Sequence, residues 1–258
     1  MLNIVIPMAG AGSRFAAAGF VDPKPLIKVR GVEMIRVVID NLAPSAEHRF
    51  VFICQSEHVA AYGLEEKLQR WAPGAAVLTV DGLTAGAAAT VLVAEELIDT
   101  DDQLMIANSD QFVSVDIDSY LDTMESAHLD GLIMTMTADD PKWSFVGLSD
   151  DGLVTTVVEK QVISNEATVG IYNFRRGSDF VRAAKAMIER DERSKGEFYV
   201  APAYNDLIAE GQRIGIENVG AEADGMYGLG IPADLELFEG LAVSDPIEKL
   251  AEVTRADS

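Results

Sequence analysis

The sequence predicts an α/β fold: a Rossmann-like, mixed and mainly parallel sheet with helices on both faces, in a single domain. Three observations predict it. Short apolar runs alternate with helical patterns over the first 110 residues. Strand-like runs with few helical residues between them follow from Gly131. A glycine-rich turn comes directly after the first apolar run, where α/β sheets bind ligands beyond the carboxyl ends of their strands.

In chain order, residues 2–7 read as a buried strand and 33–42 as a helix with Met34, Val37, Val38 and Leu42 on one face. Residues 49–54 are a second strand. Residues 57–71 are a helix striped by Leu64, Leu68 and Trp71, and 76–80 are a third strand. Residues 86–98 form an Ala/Val/Leu-rich helix, and 103–107 a fourth strand ending at Asn108-Ser109-Asp110. Strand-like runs then cover 131–137, 145–148, 153–159 and 167–174, with Asp151-Gly152 as a hairpin turn. Helices return at 177–191 and 199–210. Short strands follow at 214–219 and 225–229, and Pro232 opens a helix to about residue 241. Residues 244–258 read as an acidic tail. No repeat or flexible linker divides residues 1–243, so the halves 1–130 and 131–243 should be continuous.

Composition narrows the function classes. A chain of 258 residues with 48% hydrophobic content is ample for a folded core. A formal net charge of −22 repels phosphate backbones, which argues against nucleic acid. No apolar run approaches the ~18 residues that cross a bilayer, and the N-terminus lacks the pattern of a signal peptide, so a cytoplasmic protein without a membrane partner is expected. The single cysteine, Cys54, cannot form an internal disulfide and reads as a buried strand residue. Against the acidic whole, residues 1–32 carry Arg14, Lys24, Lys28 and Arg30 with only Asp22 opposing them. That is either a local anion site or a chance cluster.

The turn Met8-Ala9-Gly10-Ala11-Gly12-Ser13-Arg14 favours the site. Its glycines allow a tight bend that presents N–H groups to phosphate oxygens, and Arg14 adds a planar cationic fork. Gly10-x-Gly12 begins a dinucleotide fingerprint, but Phe15 stands where the third glycine must allow close helix–strand packing. No Gly-Lys-Ser/Thr follows at Walker spacing. Ten residues after Arg14, Asp22-Pro23-Lys24-Pro25-Leu26 clamps one lysine between two prolines, which fixes where its ammonium points. A glycine turn, an arginine and a clamped lysine together suit a polyphosphate.

The combined run from Pro7 to Arg14, followed by Pro23-Lys24-Pro25-Leu26, resembles the signature of the sugar-phosphate nucleotidyltransferases, and the resemblance extends to roughly residue 240. It implies a nucleotide-diphospho-sugar transferase type of fold, with 1–130 as the nucleotide half and 131–243 as the acceptor half. The implied partners are a nucleoside triphosphate and a small phosphorylated metabolite, most often a sugar 1-phosphate and in some branches phosphocholine; homo-oligomers are common. By the same resemblance Asp110 coordinates Mg2+, with Asn108 beside it among the nucleotide contacts. Thr84 and Ala85 belong to the loop that reads the base, and Glu159-Lys160 holds the acceptor. Ser144, Thr168, Gly170 and Glu197 line the acceptor site.

Three departures stand out. The base loop reads Leu83-Thr84-Ala85-Gly86 where members often carry Gln or Gly-Thr. Trp143-Ser144-Phe145 replaces Tyr-Gly at the acceptor strand. Gly228 occupies the position of a second metal ligand, for which Asp234 is either a substitute or an ordinary acidic first helical turn. Expected chemistry is in-line attack of the acceptor phosphate on the α-phosphorus, with Arg14, Lys24 and Asp110 as the catalytic set. The product would be an activated precursor for cell-surface polysaccharide. Other readings are a cytidylyltransferase acting on a non-sugar phosphate, a non-catalytic nucleotide sensor, and a nucleotide-sugar glycosyltransferase using Asp116-x-Asp118 as its metal motif.

Overall fold

A computed structural model describes residues 1–247. The chain order is β1 (Leu2–Pro7), α1 (Ser13–Ala17), β2 (Lys28–Val29), β3 (Val32–Glu33), α2 (Met34–Leu42), β4 (His48–Gln55), α3 (Ser56–Tyr62), α4 (Leu64–Trp71), β5 (Ala76–Val80), α5 (Ala87–Val91), α6 (Glu95–Ile98), β6 (Gln103–Ala107), β7 (Gln111–Val113) and α7 (Ile117–Ser126). It continues with β8 (Gly131–Thr137), β9 (Ser144–Leu148), β10 (Val154–Glu159), β11 (Glu166–Phe174), α8 (Gly177–Glu189), α9 (Tyr204–Ala209), β12 (Ile214–Glu222), β13 (Gly225–Gly228) and α10 (Pro232–Glu239).

The mixed α/β sheet is as expected. Its main path runs β5-β4-β1-β6-β11-β8-β12-β13-β7, and the β9–β10 hairpin attaches through β11. β5, β4, β1 and β6 are all parallel, because each is reached through a helical crossover. β11 runs antiparallel to both β6 and β8, and parallel pairing resumes from β8 through β12 to β13. Alternation along β1 divides the core. Ile4 and Ile6 face α2, α4 and α7 with Phe50, Phe52 and Met105, while Val5 faces α5, α8 and α9 with Val51, Ile53 and Ile106. Cys54 is buried in the first of these layers, and desolvation pushes its thiol up to about 12. That fits a structural residue and not a nucleophile.

A third, smaller core joins α1, the β2–β3 hairpin and α10 through Phe15, Val29, Val32, Met34, Leu235 and Phe238. The helical periodicity did not reveal this assembly, because α1 spans only 5 residues and β2–β3 closes on Arg30 and Gly31, both at positive φ. Three helices are shorter than their apolar patterns predict. The 57–71 stretch breaks at Gly63 (φ 57°), which caps one helix and opens the next. The 86–98 stretch passes through a 3-10 turn at Leu92–Ala94. The 199–210 stretch is helical only from a 3-10 turn at Ala201–Ala203 onward, where Pro202 sets the first turn. Asp116 caps α7 by accepting the Ser119 N–H at 2.8 Å, and Asp118 accepts the Ser45 N–H at 2.9 Å. The Asp116-x-Asp118 pair is therefore a capping device occupied by backbone, which removes the basis for the glycosyltransferase reading. Of the acidic tail, the residues from 248 on lie outside the described residues.

Candidate active site

β1 delivers the glycine turn to the carboxyl edge of the sheet. The Met8 N–H donates to the Ile53 carbonyl at 2.9 Å, and Gln55 Nε2 donates to the Ala9 carbonyl at 2.7 Å, so β4 fixes the entry of the bend. Gly12 lies at φ 60°, and a Cβ there would meet Lys24 Cβ at 3.3 Å. Ser13 then opens α1, whose Phe15 is 1% exposed in the third core, while Arg14 remains at the surface. Burying Phe15 stabilises the turn's exit by about 1.5–3 kcal/mol. The two prolines act as expected: Pro23 precedes a 3-10 turn at Lys24–Leu26, and Pro25 is buried beneath it.

Lys24 Nζ donates to Asp110 Oδ2, forming an ion pair between the clamp and the end of β6. Asp110 is in turn tied to the far edge of the sheet. Its carbonyl accepts the Leu229 N–H at 2.8 Å, and a Cβ on Gly230 would come within 2.3 Å of Asp110 Oδ2. Two cavities meet at this carboxylate. One, of about 290 Å³, is bounded by Met8, Gly10, Gly12, Lys24, Asn108 and Asp110. The other, of about 450 Å³, shares Asn108 and Asp110 and extends to Arg14, Glu159, Lys160 and Asp234.

The larger cavity is built by β9, β10 and β11. Ser144 Oγ donates to Glu159 Oε2 at 2.6 Å, and Glu159 Oε1 is buried without a partner. Burial raises the Glu159 carboxyl pKa, opposed by the Ser144 bond and the charge of Lys160. Lys160 holds a left-handed backbone at φ 56°, a strained posture for a residue with a Cβ. Its N–H donates to the Trp143 carbonyl at 3.0 Å, and its Nζ donates to the Lys142 carbonyl at 3.1 Å while lying 5.4 Å from the Tyr199 ring centre. Gly170 sits at φ 86° in a bulge of β11; a Cβ there would strike Asn108 Nδ2 at 2.0 Å. Glycine is therefore what lets β11 approach the end of β6. Thr168 Oγ1 and the Tyr172 hydroxyl share a hydrogen bond of 3.0 Å across the same bulge.

The family model described as nucleotidyl transferase matches residues 4–213. The chain belongs to that family. This nucleotidyltransferase is 25% identical over 263 residues to the bifunctional protein GlmU of Alkaliphilus metalliredigens, an alignment covering 98% of this chain and 51% of that protein. The chain thus spans about half the length of the curated relative it matches. Among solved structures, it is similar to a nucleoside-diphosphate-sugar pyrophosphorylase from Vibrio cholerae RC9, with 27% identity and a TM-score of 0.76 over 92% of this chain and all of that one. It shares its fold with a UDP-glucose pyrophosphorylase complexed with UDP-glucose (13% identity, TM-score 0.74, covering 93% and 97% of the two chains). The same holds for a UTP-bound UGPase from Acinetobacter baumannii (16%, 0.71, covering 93% and 92%).

The structure gathers most of the residues singled out in the sequence around these two cavities, with exceptions. Thr84 and Ala85 lie in a loop outside both walls, where Thr84 Oγ1 bonds Thr90 Oγ1 at 2.6 Å. That loop is joined to the acceptor side through Gly86 (φ 131°), whose Cβ would meet the Phe198 backbone at 2.5 Å. Phe198 also exchanges backbone hydrogen bonds with Ala85 and Ala88, at 2.9 and 3.0 Å. Glu197 is exposed and outside the cavity, a correction to its expected place there; residues 194 and 197 bridge and turn it outward. Burial, then the charges of Glu197 and Glu159 and a side-chain hydrogen bond with Glu197, push the Tyr199 phenol up.

Gln111, Lys142, Tyr172 and Gly230 line the cavity without having been read from the sequence. Gln111 was legible only as the neighbour of Asp110, and its Nε2 is buried without a partner. Asp234 faces the same cavity. Burial and the charge of Glu222 raise its carboxyl pKa, while Lys142 and Arg14 lower it and Asp110 raises it further.

Proposed function

We propose that this nucleotidyltransferase transfers a nucleoside monophosphate from a nucleoside triphosphate to a sugar 1-phosphate and releases pyrophosphate. The meeting of the two cavities at Asp110 carries this reading. The smaller cavity offers glycine N–H groups and Lys24 to a triphosphate; the larger offers Lys160 and Glu159 to a phosphorylated acceptor, and Arg14 lines it as well. An acceptor phosphate oxygen attacks the α-phosphorus in line, one P–O bond forms, the bond to the β-phosphate breaks, and pyrophosphate leaves. No proton transfer is required, because the acceptor phosphate is ionised at neutral pH. The protein's task is positioning and charge neutralisation.

Lys24 holds the β- and γ-phosphates beside the turn, Arg14 covers their outer side, and Lys160 draws the acceptor phosphate toward them. Mg2+ fits the Asp110 carboxylate, a hard oxygen donor in a cradle that any side chain at position 230 would fill. Bound there, it would supply charge neutralisation where the two phosphates meet.

Glu159 Oε1 accepts a sugar hydroxyl in place of its missing partner. A choline-type acceptor is disfavoured: Lys142 Nζ stands 4.8 Å from the centre of the Trp143 ring and Lys160 Nζ stands over Tyr199, so cations already cover the aromatic faces a quaternary ammonium needs. A sugar nucleotide made in the cytoplasm would feed cell-surface polysaccharide. The test is pyrophosphate release from each of five nucleoside triphosphates against panels of sugar 1-phosphates and amino-alcohol phosphates. Release with a sugar 1-phosphate supports the reading. Nucleotide binding with no release under any acceptor would make the chain a sensor.

A further inference from the structure

Buried polar atoms in a folded chain are ordinarily hydrogen-bonded. Three belonging to residues that line the larger cavity are not: Glu159 Oε1, Trp143 Nε1 and Gln111 Nε2 have no partner among the described residues. The first two stand beside the β9–β10 hairpin, and Glu159 already has a place in the proposed reaction. Gln111 has none. It is 5% exposed, opens β7 directly after Asp110, and carries a donor that is costly to leave unmet.

Two glycines shape the niche around this side chain. In the β7–β13 ladder Gln111 is paired with Gly228, so no side chain directly opposite covers it. At the β11 bulge a Cβ on Gly170 would lie 3.1 Å from Gln111 Oε1 and 2.0 Å from Asn108 Nδ2. With no Cβ there, Asn108 Nδ2 donates to Gln111 Oε1 at 3.5 Å. The amide oxygen is thereby engaged and the Nε2 donor is left for another group. Its place in the chain narrows which group. The acceptor phosphate must reach the α-phosphorus beside Asp110, so the part of the acceptor nearest Gln111 is the part bonded to that phosphate. In a sugar 1-phosphate the anomeric carbon is flanked by the ring oxygen and by C2. The ring oxygen, an acetal oxygen next to a phosphate ester, is a weak acceptor. The oxygen on C2 is a strong one.

We propose that Gln111 is a specificity-determining residue for the acceptor: its Nε2 donates to the oxygen on C2 of the sugar 1-phosphate, so the site selects sugars that carry one. The inference rests on the reading that a sugar 1-phosphate meets a nucleoside triphosphate at Asp110. The test is pyrophosphate release with the sugar 1-phosphate that the wild type uses most readily and with its 2-, 3-, 4- and 6-deoxy analogues. The wild type is expected to lose about ten- to a hundredfold in kcat/KM with the 2-deoxy analogue, because the amide donor is then left buried and unmet. Gln111→Met keeps the length of the side chain and removes the donor. It is expected to lose a similar factor with the parent sugar and nothing further with the 2-deoxy analogue, while the triphosphate KM stays the same. Gln111→Leu, of a different shape, is expected to give the same ratio between the two acceptors. A Gln111 that only packs β7 would lower activity on both acceptors equally, and a wild-type ratio in both variants overturns the proposal. So does a wild type that uses the 2-deoxy analogue as well as its parent, or a ratio that the variants change at another carbon instead. No release from the wild type with any sugar 1-phosphate overturns the underlying reading, and the inference falls with it. Circular dichroism of each variant separates loss of the donor from loss of the fold.

Discussion

The walls proposed for the nucleotide and for the acceptor use lysine in opposite ways. Lys24 stands on a backbone that two prolines and a buried 3-10 turn hold in an ordinary conformation, and its ammonium is already paired with Asp110. Lys160 stands on a strained left-handed backbone, and among the described residues its ammonium is tied only to a carbonyl and an aromatic face. The first is prepared by sequence-local rigidity, the second by the β9–β10 hairpin around it. A triphosphate therefore meets a preformed clamp whose lysine must exchange one anion for another. On the same reading, the acceptor meets a cation with no ion-paired carboxylate to leave among the described residues.

The comparison can be broken most forcefully at the clamp's anchor. Phe15→Ala removes a ring 1% exposed in the third core and is expected to destabilise the chain by about 3–5 kcal/mol, read by urea denaturation. If the turn did not depend on that core, nucleotide affinity measured below the unfolding midpoint would be unchanged. Next comes Lys24→Ala, expected to lower turnover roughly a hundred- to a thousand-fold, about 2.7–4 kcal/mol, with little effect on the acceptor KM. Gly170→Ala forces a Cβ into Asn108 at an αL position and is expected to cost about 1–3 kcal/mol in stability, read as a lowered Tm. Lys160→Ala should raise the acceptor KM by about tenfold while the triphosphate KM stays the same; an equal rise in both would erase the distinction between the two walls. The smallest effect concerns pH. Glu159 has a carboxyl pKa raised above its ordinary 4.5, so the folded state binds its proton more tightly than the unfolded state. Its contribution to stability is full below that value and is lost as pH rises through the raised value. Urea midpoints measured from pH 4 upward should show this loss in the wild type and not in Glu159→Gln.

The clamp was legible because its parts are neighbours in sequence: a strand, a glycine turn, an arginine and a lysine between prolines. Asp110 and the Glu159-Lys160 pair were legible through resemblance, and each stands at the end of a strand that the apolar pattern marks. Gln111 and Gly230 were not. Their roles arise when β7 pairs antiparallel with β13, placing Gln111 opposite Gly228 across more than a hundred residues of chain. Nor was α1, whose few residues carry no helical period and whose reason for existing is Phe15. The misplacement of Glu197 has the same origin, since a one-residue bridge, invisible in composition, decides which way that segment faces.

The contact at Gly86 has a consequence for how such an enzyme can change its substrates. The loop expected to meet the base and the segment leading to Tyr199 are joined backbone to backbone, with no side chain between them to absorb a shift. On the proposed reading, choice of nucleotide and choice of acceptor are then not separately adjustable. A substitution that moves residues 83–86 to admit a different base also moves the wall behind the acceptor, so the two specificities share a coupling free energy that a double-mutant cycle can measure. A lineage exploring new products from this scaffold would be expected to change both preferences together, or neither.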